Sequence, residues 1–243
     1  QDYLYREIGG FDSVETLRVD TRALAEDAWV ADRVRHAELV YMAGGDQGRY
    51  VDAWTGTRLA AAVEEARRSG AILGGTSAGQ MILGGVVFAA RQGSITSAEA
   101  LRDPFDPALD LVPSVFALPS AQGFVLDTHF GARDRFGRLL VFLARARAAQ
   151  PAITYGLGVD EATAVLVEPD GSGRVVGSGA AYVVRLTREA TLVAGRPVDG
   201  LAAEYRAVLA GEALSLATPL GAMPPSVAVI RAGVLDPADP YAP

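Results

Sequence analysis

The chain has 243 residues, of which 50% are hydrophobic, and carries a formal net charge of −7. This length and composition suffice for one large domain with a full core, and we predict a single domain over residues 1–243. The acidic balance disfavours a nucleic-acid or anionic-membrane binding protein. Apolar runs such as residues 71–75 are far shorter than the roughly 20 residues of a membrane span, so no transmembrane segment is predicted.

Composition also excludes several kinds of chemistry. The chain has no Cys, which excludes disulfides, thiolate metal sites and cysteine nucleophiles and leaves the redox compartment without a marker. All 22 basic residues are Arg, so neither a Walker-type phosphate loop nor a Schiff-base lysine can form. The only histidines are His36 and His129, and no metal-ligand spacing stands out. We therefore predict no metal and no cofactor, and a histidine base has two candidates.

Apolar, β-branched runs alternate with helical patterns along the first half of the chain. In order, the patterns predict a helix end at 3–9, a strand at 13–19, a helix at 21–37, a strand at 38–45, a helix at 51–70, a strand at 71–75 and a helix at 78–84. This alternation is typical of an α/β fold in three layers, with a mainly parallel central sheet and helices on both faces.

The second half of the chain differs in character. The segment 91–120 is rich in Pro, Asp and Ser and is predicted to be largely loop. A helix at 136–150 and a strand at 155–168 follow, and residues 174–187 and 190–198 alternate like antiparallel hairpins. The glycines of 171–177 lead into β-like residues, so they indicate a hairpin turn rather than a dinucleotide loop.

Ser77 lies in the segment "GGTSAGQ" at residues 74–80, between a predicted strand and a predicted helix. Glycines on both sides allow a sharp strand-to-helix turn that lifts the serine hydroxyl clear of the sheet, as in nucleophile elbows. The backbone N–H of Ala78 is then one donor to an oxyanion. The competing interpretation is a tight βα turn in which Ser77 is an ordinary helix N-cap.

His129 is the histidine placed to act as a base. It follows the strand-like residues 123–127 and precedes the helix near Arg135, and open α/β sheets have their sites at strand carboxyl ends. His36 lies near the end of a predicted helix, where a solvated histidine close to the negative dipole end is the simpler explanation. A structural, hydrogen-bonded histidine is the alternative for His129.

Three cations follow His129 within one turn-and-helix segment: Arg133, Arg135 and Arg138. Guanidinium groups bind carboxylates with two parallel hydrogen bonds, so the cluster indicates a carboxylate-bearing substrate. The alternative is a solvated helix face that is partly paired with Asp127 and Asp134.

Four segments together resemble cyanophycinase-type serine peptidases, the group that includes aspartyl dipeptidases. They are "YMAGGDQGRYV" at 41–51, "GGTSAGQMILGG" at 74–85, "DTHFGARDRFGRLL" at 127–140 and "GLGVDEATAVLV" at 156–167. The similarity extends from about residue 2 to residue 198. It implies a fold like that of class I glutamine amidotransferases, with Ser replacing their Cys, and a Ser–His–Glu triad.

By position, the resemblance implies that Ser77 is the nucleophile, His129 the general base and then acid, and Glu161 the group that orients His129. It also implies an oxyanion hole built from Gly44, Gly45 and Ala78. The residues alone leave the third triad member open, because Asp127 is close in the chain and Glu99 lies in the intervening loop.

The resemblance further implies a polar substrate pocket formed by Gln47, Asp127, Thr128, Arg133, Arg135 and Arg138. Its substrate would be a peptide or a polyaspartate-type polymer with arginine side chains, cut to β-Asp-Arg dipeptides, and the protein would be a homodimer. Thr128 replaces an amide side chain of cyanophycinases, which leaves side-chain specificity open. A dipeptidase and a catalytically silent binding domain are the alternatives. The family's opening strand precedes the matching region, so we expect an upstream segment.

Overall fold

The computed structural model describes residues 3–116, 118–222 and 224–241. After a π-helical turn at Tyr3–Ile8, the helices in this part of the chain are α1 (Arg22–Ala25), α2 (Ala28–Arg35), α3 (Gln47–Trp54), α4 (Arg58–Arg68), α5 (Ala78–Met81), α6 (Ser97–Arg102) and α7 (Phe136–Ala149). The strands are β1 (Leu39–Met42), β2 (Ile72–Gly75), β3 (Val86–Phe88), β4 (Leu111–Pro113), β5 (Phe124–Thr128), β6 (Tyr155–Val159), β7 (Thr163–Val167), β8 (Ser172–Gly177), β9 (Ala180–Arg188), β10 (Ala202–Leu209), β11 (Ala213–Ser215), β12 (Ser226–Arg231) and β13 (Val234–Asp236).

The strands form three sheets. The smallest sheet is the parallel pair β1–β2, the largest has the order β13-β12-β10-β9-β6-β5-β3-β4, and the third has three strands in the order β11-β8-β7. The predicted α/β fold is confirmed, and parallel pairing joins the strands around the predicted site: β1 with β2, β3 with β5, and β5 with β6. The large sheet is mixed, because β9 pairs antiparallel with β6 and the strands after it return through antiparallel pairs.

Helix α7 is buried along most of its length, and it packs against β5 and β6. Residues Leu139–Leu143 are each at most 1% exposed, so this helix is apolar on nearly every side. The approach is close at Gly156 of β6, where a Cβ atom would lie 3.0 Å from the Leu139 side chain. The packing holds the amino end of α7 next to the end of β5, where His129 lies.

Two long predicted helices are each divided by a cap. The helix predicted at 21–37 ends after α1, because the side chain of Asp27 accepts hydrogen bonds from the backbone N–H groups of Trp29 and Val30 and starts α2. The helix predicted at 51–70 begins earlier, at Gln47, and is interrupted at Gly56, whose φ of 68° favours glycine. Local capping chemistry overrides the continuous helical pattern in both places.

Other predicted boundaries also change. Residues 13–19 and 190–198 form no strand, and in the first of these segments the buried position is Val19 alone. The predicted loop at 91–120 contains α6 and β4, and its Ala117 lies outside the described residues. The strand predicted at 155–168 is two strands, because the chain turns at Ala162 with a φ of 51°. That turn carries Glu161.

Candidate active site

Ser77 lies on the tight turn between β2 and α5 and has a φ of 52° and a ψ of −119°. A positive φ is sterically costly for a non-glycine residue, so the surrounding packing must hold it. The neighbouring glycines permit that packing: a Cβ on Gly75 would lie 2.3 Å from the Gly79 carbonyl oxygen. A Cβ on Gly79 would lie 2.1 Å from the carbonyl oxygen of Met42 in β1. Close backbone contact therefore positions the serine hydroxyl.

His129 and Glu161 lie in line with this hydroxyl. His129 directly follows β5 and its Nε2 lies 2.9 Å from Ser77 Oγ, while its Nδ1 lies 2.6 Å from Glu161 Oε1. Glu161 comes shortly after β6, the parallel neighbour of β5, so the carboxyl ends of the two strands bring both side chains together. A carboxylate only accepts hydrogen bonds, so Nδ1 carries the proton and Nε2 can accept from the serine hydroxyl.

The other residues considered for these roles have different partners. The carboxylate of Glu99 accepts hydrogen bonds from the backbone N–H and hydroxyl of Thr96, which lower its pKa and cap α6. The carboxylate of Asp127 faces the guanidinium of Arg138. His36 caps the end of α2, where its Nδ1 lies 2.9 Å from the carbonyl oxygen of Asp32. Glu161 is the carboxylate that contacts His129.

The proposed oxyanion donors lie beside Ser77. A Cβ on Gly44 would lie 3.3 Å from the Ser77 Cβ, and Gly45 has a φ of 141°, which a side chain rarely adopts. The hydroxyl of Tyr50 donates to the carbonyl oxygen of Ala43 at 3.0 Å and so holds this turn after β1. In the described part of the chain, the N–H groups of Gly45 and Ala78 donate to no protein acceptor. Both N–H groups therefore stay candidates for binding a substrate oxygen.

Asp127 faces two arginines in the interior: Arg135, the residue before α7, and Arg138 in its first turn. Asp127 is 0% exposed, and Arg138 binds it through two hydrogen bonds, from Nη2 to Oδ1 at 2.6 Å and from Nε to Oδ2 at 2.8 Å. Arg135 Nη1 donates to the Thr128 carbonyl oxygen at 2.7 Å and lies 3.4 Å from Asp127 Oδ1. Burial, followed by the nearby Arg138 charge, lowers the pKa of Arg135 to about 10, which leaves it charged at neutral pH.

The remaining predicted pocket residues differ in exposure and in hydrogen bonding. Arg133 is exposed, whereas the Gln47 amide donates to the carbonyl oxygen of Phe88 at 3.1 Å. The hydroxyl of Thr128 is buried and has no hydrogen-bond partner among the described residues. Arg133 is thus the exposed cation of the cluster, and the substrate-binding roles of all six residues stay predictions.

The structure also shows functional neighbours that sequence reasoning missed. Ser97 Oγ donates to the carbonyl oxygen of Asp134 and accepts from the N–H of Arg138, which joins α6 to the start of α7. Tyr241 Oη accepts from the N–H of Phe136 at 2.8 Å, across 105 residues of chain, so no local pattern could reveal it. Asp160 directly follows β6, and this position at the end of a strand is a sequence pattern that could have indicated a role.

Neither a metal centre nor a membrane span is evident among residues 3–116, 118–222 and 224–241. Among the described residues, no group of three or more His, Cys, Asp and Glu side chains could hold a metal ion. No helix that the structure describes is both long and apolar enough to cross a membrane.

A serine on a strained strand-to-helix turn, bonded to a histidine that is bonded in turn to a carboxylate, has the geometry of serine hydrolase sites. The family model described as peptidase family S51 matches residues 2–174. The chain belongs to this family.

Several cyanophycinases are curated relatives with similar sequences. Those of Synechococcus elongatus and Thermosynechococcus vestitus are each 35% identical over 182 residues, which cover 74% of this chain and 52% of theirs. That of Trichormus variabilis is 31% identical over the same length and is covered to 56%. The chain thus spans about half the length of the curated relatives it matches. Among solved structures, the crystal structure of a peptidase from an acI-B1 Actinobacterium aligns with a TM-score of 0.58 at 21% identity, covering 88% of this chain and 73% of that one.

Proposed function

We propose that the protein is a serine-type peptidase that hydrolyses aspartate-containing peptides, most directly a cyanophycin-like polymer of aspartate and arginine cut to β-Asp-Arg dipeptides. The observation that carries the proposal is the continuous hydrogen-bonded line from Ser77 through His129 to Glu161. Membership of peptidase family S51 and the cyanophycinase names of its relatives support the substrate class.

In the proposed reaction, His129 Nε2 takes the proton of Ser77 Oγ as the oxygen attacks the substrate carbonyl carbon. The carbonyl oxygen becomes negative and binds the N–H groups of Ala78 and Gly45. The imidazolium then gives its proton to the leaving amine, and an acyl-enzyme remains. A water molecule, deprotonated by the same imidazole, attacks the carbonyl carbon of this ester. The bond to Ser77 Oγ breaks, the imidazolium returns the proton to Oγ, and the acid is released. Glu161 stabilises the imidazolium in both halves of the reaction.

The charge around the site supports a substrate that bears carboxylates. In the interior, Arg135 and Arg138 supply two positive charges against the one negative charge of Asp127. Arg133 adds an exposed cation to this excess. A guanidinium group can bind a carboxylate with two parallel hydrogen bonds, so an aspartyl side chain or a free carboxyl end would be attracted here.

Short aspartyl dipeptides are the second candidate substrate. A polymer carrying arginine side chains calls for an acidic partner in the pocket, yet Asp127 is 0% exposed and bound to Arg138. Thr128 offers a hydroxyl rather than an amide beside His129. Both observations favour a site that recognises the aspartyl part of a substrate more strongly than the arginine part.

The test is hydrolysis by wild-type protein of cyanophycin, of β-Asp-Arg and of α-aspartyl dipeptides, with products identified by mass spectrometry. We expect β-Asp-Arg from the polymer, and loss of all hydrolysis in Ser77→Ala. Ser120→Ala, which makes the same change in an exposed turn, should hydrolyse like wild type. Cleavage of dipeptides without the polymer would support the dipeptidase alternative. Wild-type protein that cleaves none of these substrates would contradict the proposal in favour of a silent binding domain.

A further inference from the structure

Asp160 joins the two loops that carry His129 and Glu161. Its Oδ1 accepts a hydrogen bond from the N–H of Gly131 at 2.8 Å, and its Oδ2 accepts one from the N–H of Ala180 at 3.0 Å. Gly131 comes two residues after His129, and Asp160 itself comes directly before Glu161. One carboxylate therefore connects the loop after β5, the turn after β6 and the start of β9.

The fit around this carboxylate is close on both sides. A Cβ on Gly131 would lie 3.1 Å from Asp160 Oδ1, and a Cβ on Gly179 would lie 2.8 Å from the Asp160 Cβ. Glycine at both positions lets the backbone approach the carboxylate directly. The two N–H donors are thus held in place by backbone, not by flexible side chains.

Glu161 needs such support because its own side chain is 54% exposed. Exposed ion pairs are weak, since water competes for both partners and a long side chain loses rotamer freedom when it is held. The turn itself is fixed: Thr163 Oγ1 donates to the Glu161 carbonyl oxygen at 3.0 Å and accepts from the Gly179 N–H at 2.9 Å. The position of the Glu161 carboxylate therefore comes from its backbone.

We propose that Asp160 is a positioning residue, which sets the separation of the His129 loop and the Glu161 turn so that the bond between Nδ1–H and the Glu161 carboxylate forms. The proposal rests on the proposed peptidase function for its kinetic consequences. Asp160 acts through Glu161 and His129 and is not itself a catalytic residue.

The first test is Asp160→Asn, which keeps the shape of the side chain. An amide has one accepting oxygen, so its NH₂ group would face the N–H of either Gly131 or Ala180 and that bond would be lost. We expect kcat for aspartyl-peptide hydrolysis to fall by about 10- to 100-fold, because small displacements of catalytic groups are that costly. KM should change by less than about twofold, because no substrate contact is removed.

Asp170→Asn is the matched control. Asp170 also accepts two hydrogen bonds, from the N–H and hydroxyl of Ser172, but in the turn between β7 and β8. This variant should keep the wild-type kcat. A double-variant cycle then separates positioning from general damage: in a Glu161→Gln background, Asp160→Asn should lower kcat by less than about twofold, because coupled residues are not additive. Full additivity of the two losses would overturn the proposal.

A readout that does not depend on activity is the low-field proton NMR signal of the His129 Nδ1–H. The chain has only two histidines, so His36→Gln leaves one imidazole to observe. In that background the signal should be lost or exchange faster in Asp160→Asn and persist in Asp170→Asn. An unchanged signal in Asp160→Asn would overturn the proposal, even if the wild-type protein hydrolyses nothing and the proposed function fails. If Asp160→Asn does not fold, Asp160→Ser, which is smaller and keeps an accepting oxygen, undergoes the same measurements with the same expected outcomes.

Discussion

Asp127 and Glu161 are two carboxylates near the ends of adjacent parallel strands, β5 and β6, and they have opposite surroundings. Asp127 is 0% exposed and contacts two arginines, whereas the side chain of Glu161 is 54% exposed and contacts one histidine. A buried charge must be neutralised by a fixed partner, while a charge near water can follow a change in its partner's protonation. We therefore expect Asp127, the inner carboxylate, to stabilise the fold and Glu161, the outer carboxylate, to take part in the reaction.

The partners differ in the same way. The Arg138 guanidinium is held further by the Ser94 hydroxyl, the Ile95 carbonyl oxygen and the rings of Phe88 and Phe142. The His129 ring is 25% exposed and contacts the Ser77 hydroxyl as well as the Glu161 carboxylate. Four predictions test this division, in order of decreasing effect.

His129→Asn should affect the reaction far more than the fold. Asparagine tolerates the left-handed backbone conformation of His129, whose φ is 49°, so the loop should persist. Loss of the general base should lower kcat by about 10⁴-fold or more, since triad members act as a unit. Urea unfolding of this variant should differ from wild type by less than about 1 kcal/mol. A variant that retains activity would contradict the role of His129.

Arg138→Met should affect the fold far more than any other single arginine change. The variant leaves Arg135, 3.4 Å away, as the remaining cation beside the buried Asp127, and loss of the two hydrogen bonds from Arg138 should cost about 3 kcal/mol in the free energy of unfolding. Arg133→Met is the control, because that side chain is exposed and should change the free energy of unfolding by about 0.5 kcal/mol or less. Equal urea midpoints for the two variants would remove the distinction between inner and outer charges.

Glu161→Gln should lower kcat more than it lowers stability, which is the reverse of the effect expected for Arg138→Met. The amide can still approach His129 but does not stabilise the imidazolium, so kcat should fall by about 10²- to 10⁴-fold. The free energy of unfolding should change by about 1 kcal/mol or less, because the carboxylate is largely exposed. The measurements are steady-state kinetics and urea unfolding on the same preparation. A large loss of stability with unchanged kcat would reverse the assignment of the two carboxylates.

The exposure of Asp110 lies between that of Asp127 and that of Glu161, and its contribution to stability should be small and should depend on pH. Its side chain is 18% exposed, and hydrogen bonding to Arg91 lowers its pKa below the ordinary value of 3.8. Its stabilising effect is therefore fully present above about pH 4 and is lost as the pH falls through the lower, folded-state pKa. Asp110→Asn should be less stable than wild type at pH 6, and the difference should shrink at pH 3. A difference in unfolding free energy that does not vary with pH would contradict this ion pair.

Much of the site could be predicted because its signals are local. Ser77 stands between glycines at a strand-to-helix turn, and with two histidines in the chain the choice of a base was narrow. The assignment of Glu161 came from the resemblance to a family, since spacing alone left Glu99 and Asp127 open. The structure brings Glu161 to His129 through the parallel pairing of β5 and β6, which no single segment encodes.

The parts that sequence could not reveal depend on long-range contacts. The resemblance places Asp127, Arg135 and Arg138 in the pocket, and the sequence leaves pairing of the arginines with Asp127 open. That these three side chains are buried together depends on how α7 packs over β5. Caps at Asp27 and Thr57 divided predicted helices, since a short polar side chain competes with a continuous helical pattern. The antiparallel pairing of β9 with β6 likewise depends on tertiary packing.

The central claim is that Ser77 is a nucleophile activated by His129. Its most direct measurement is the site of covalent labelling by a serine-reactive phosphonate, located by peptide mass spectrometry in wild type, Ser77→Ala and His129→Asn. We expect a single adduct on Ser77 in wild type, none in Ser77→Ala, and labelling slowed by about 10³-fold or more in His129→Asn. An adduct on another residue, or wild-type protein that does not react, would contradict the account.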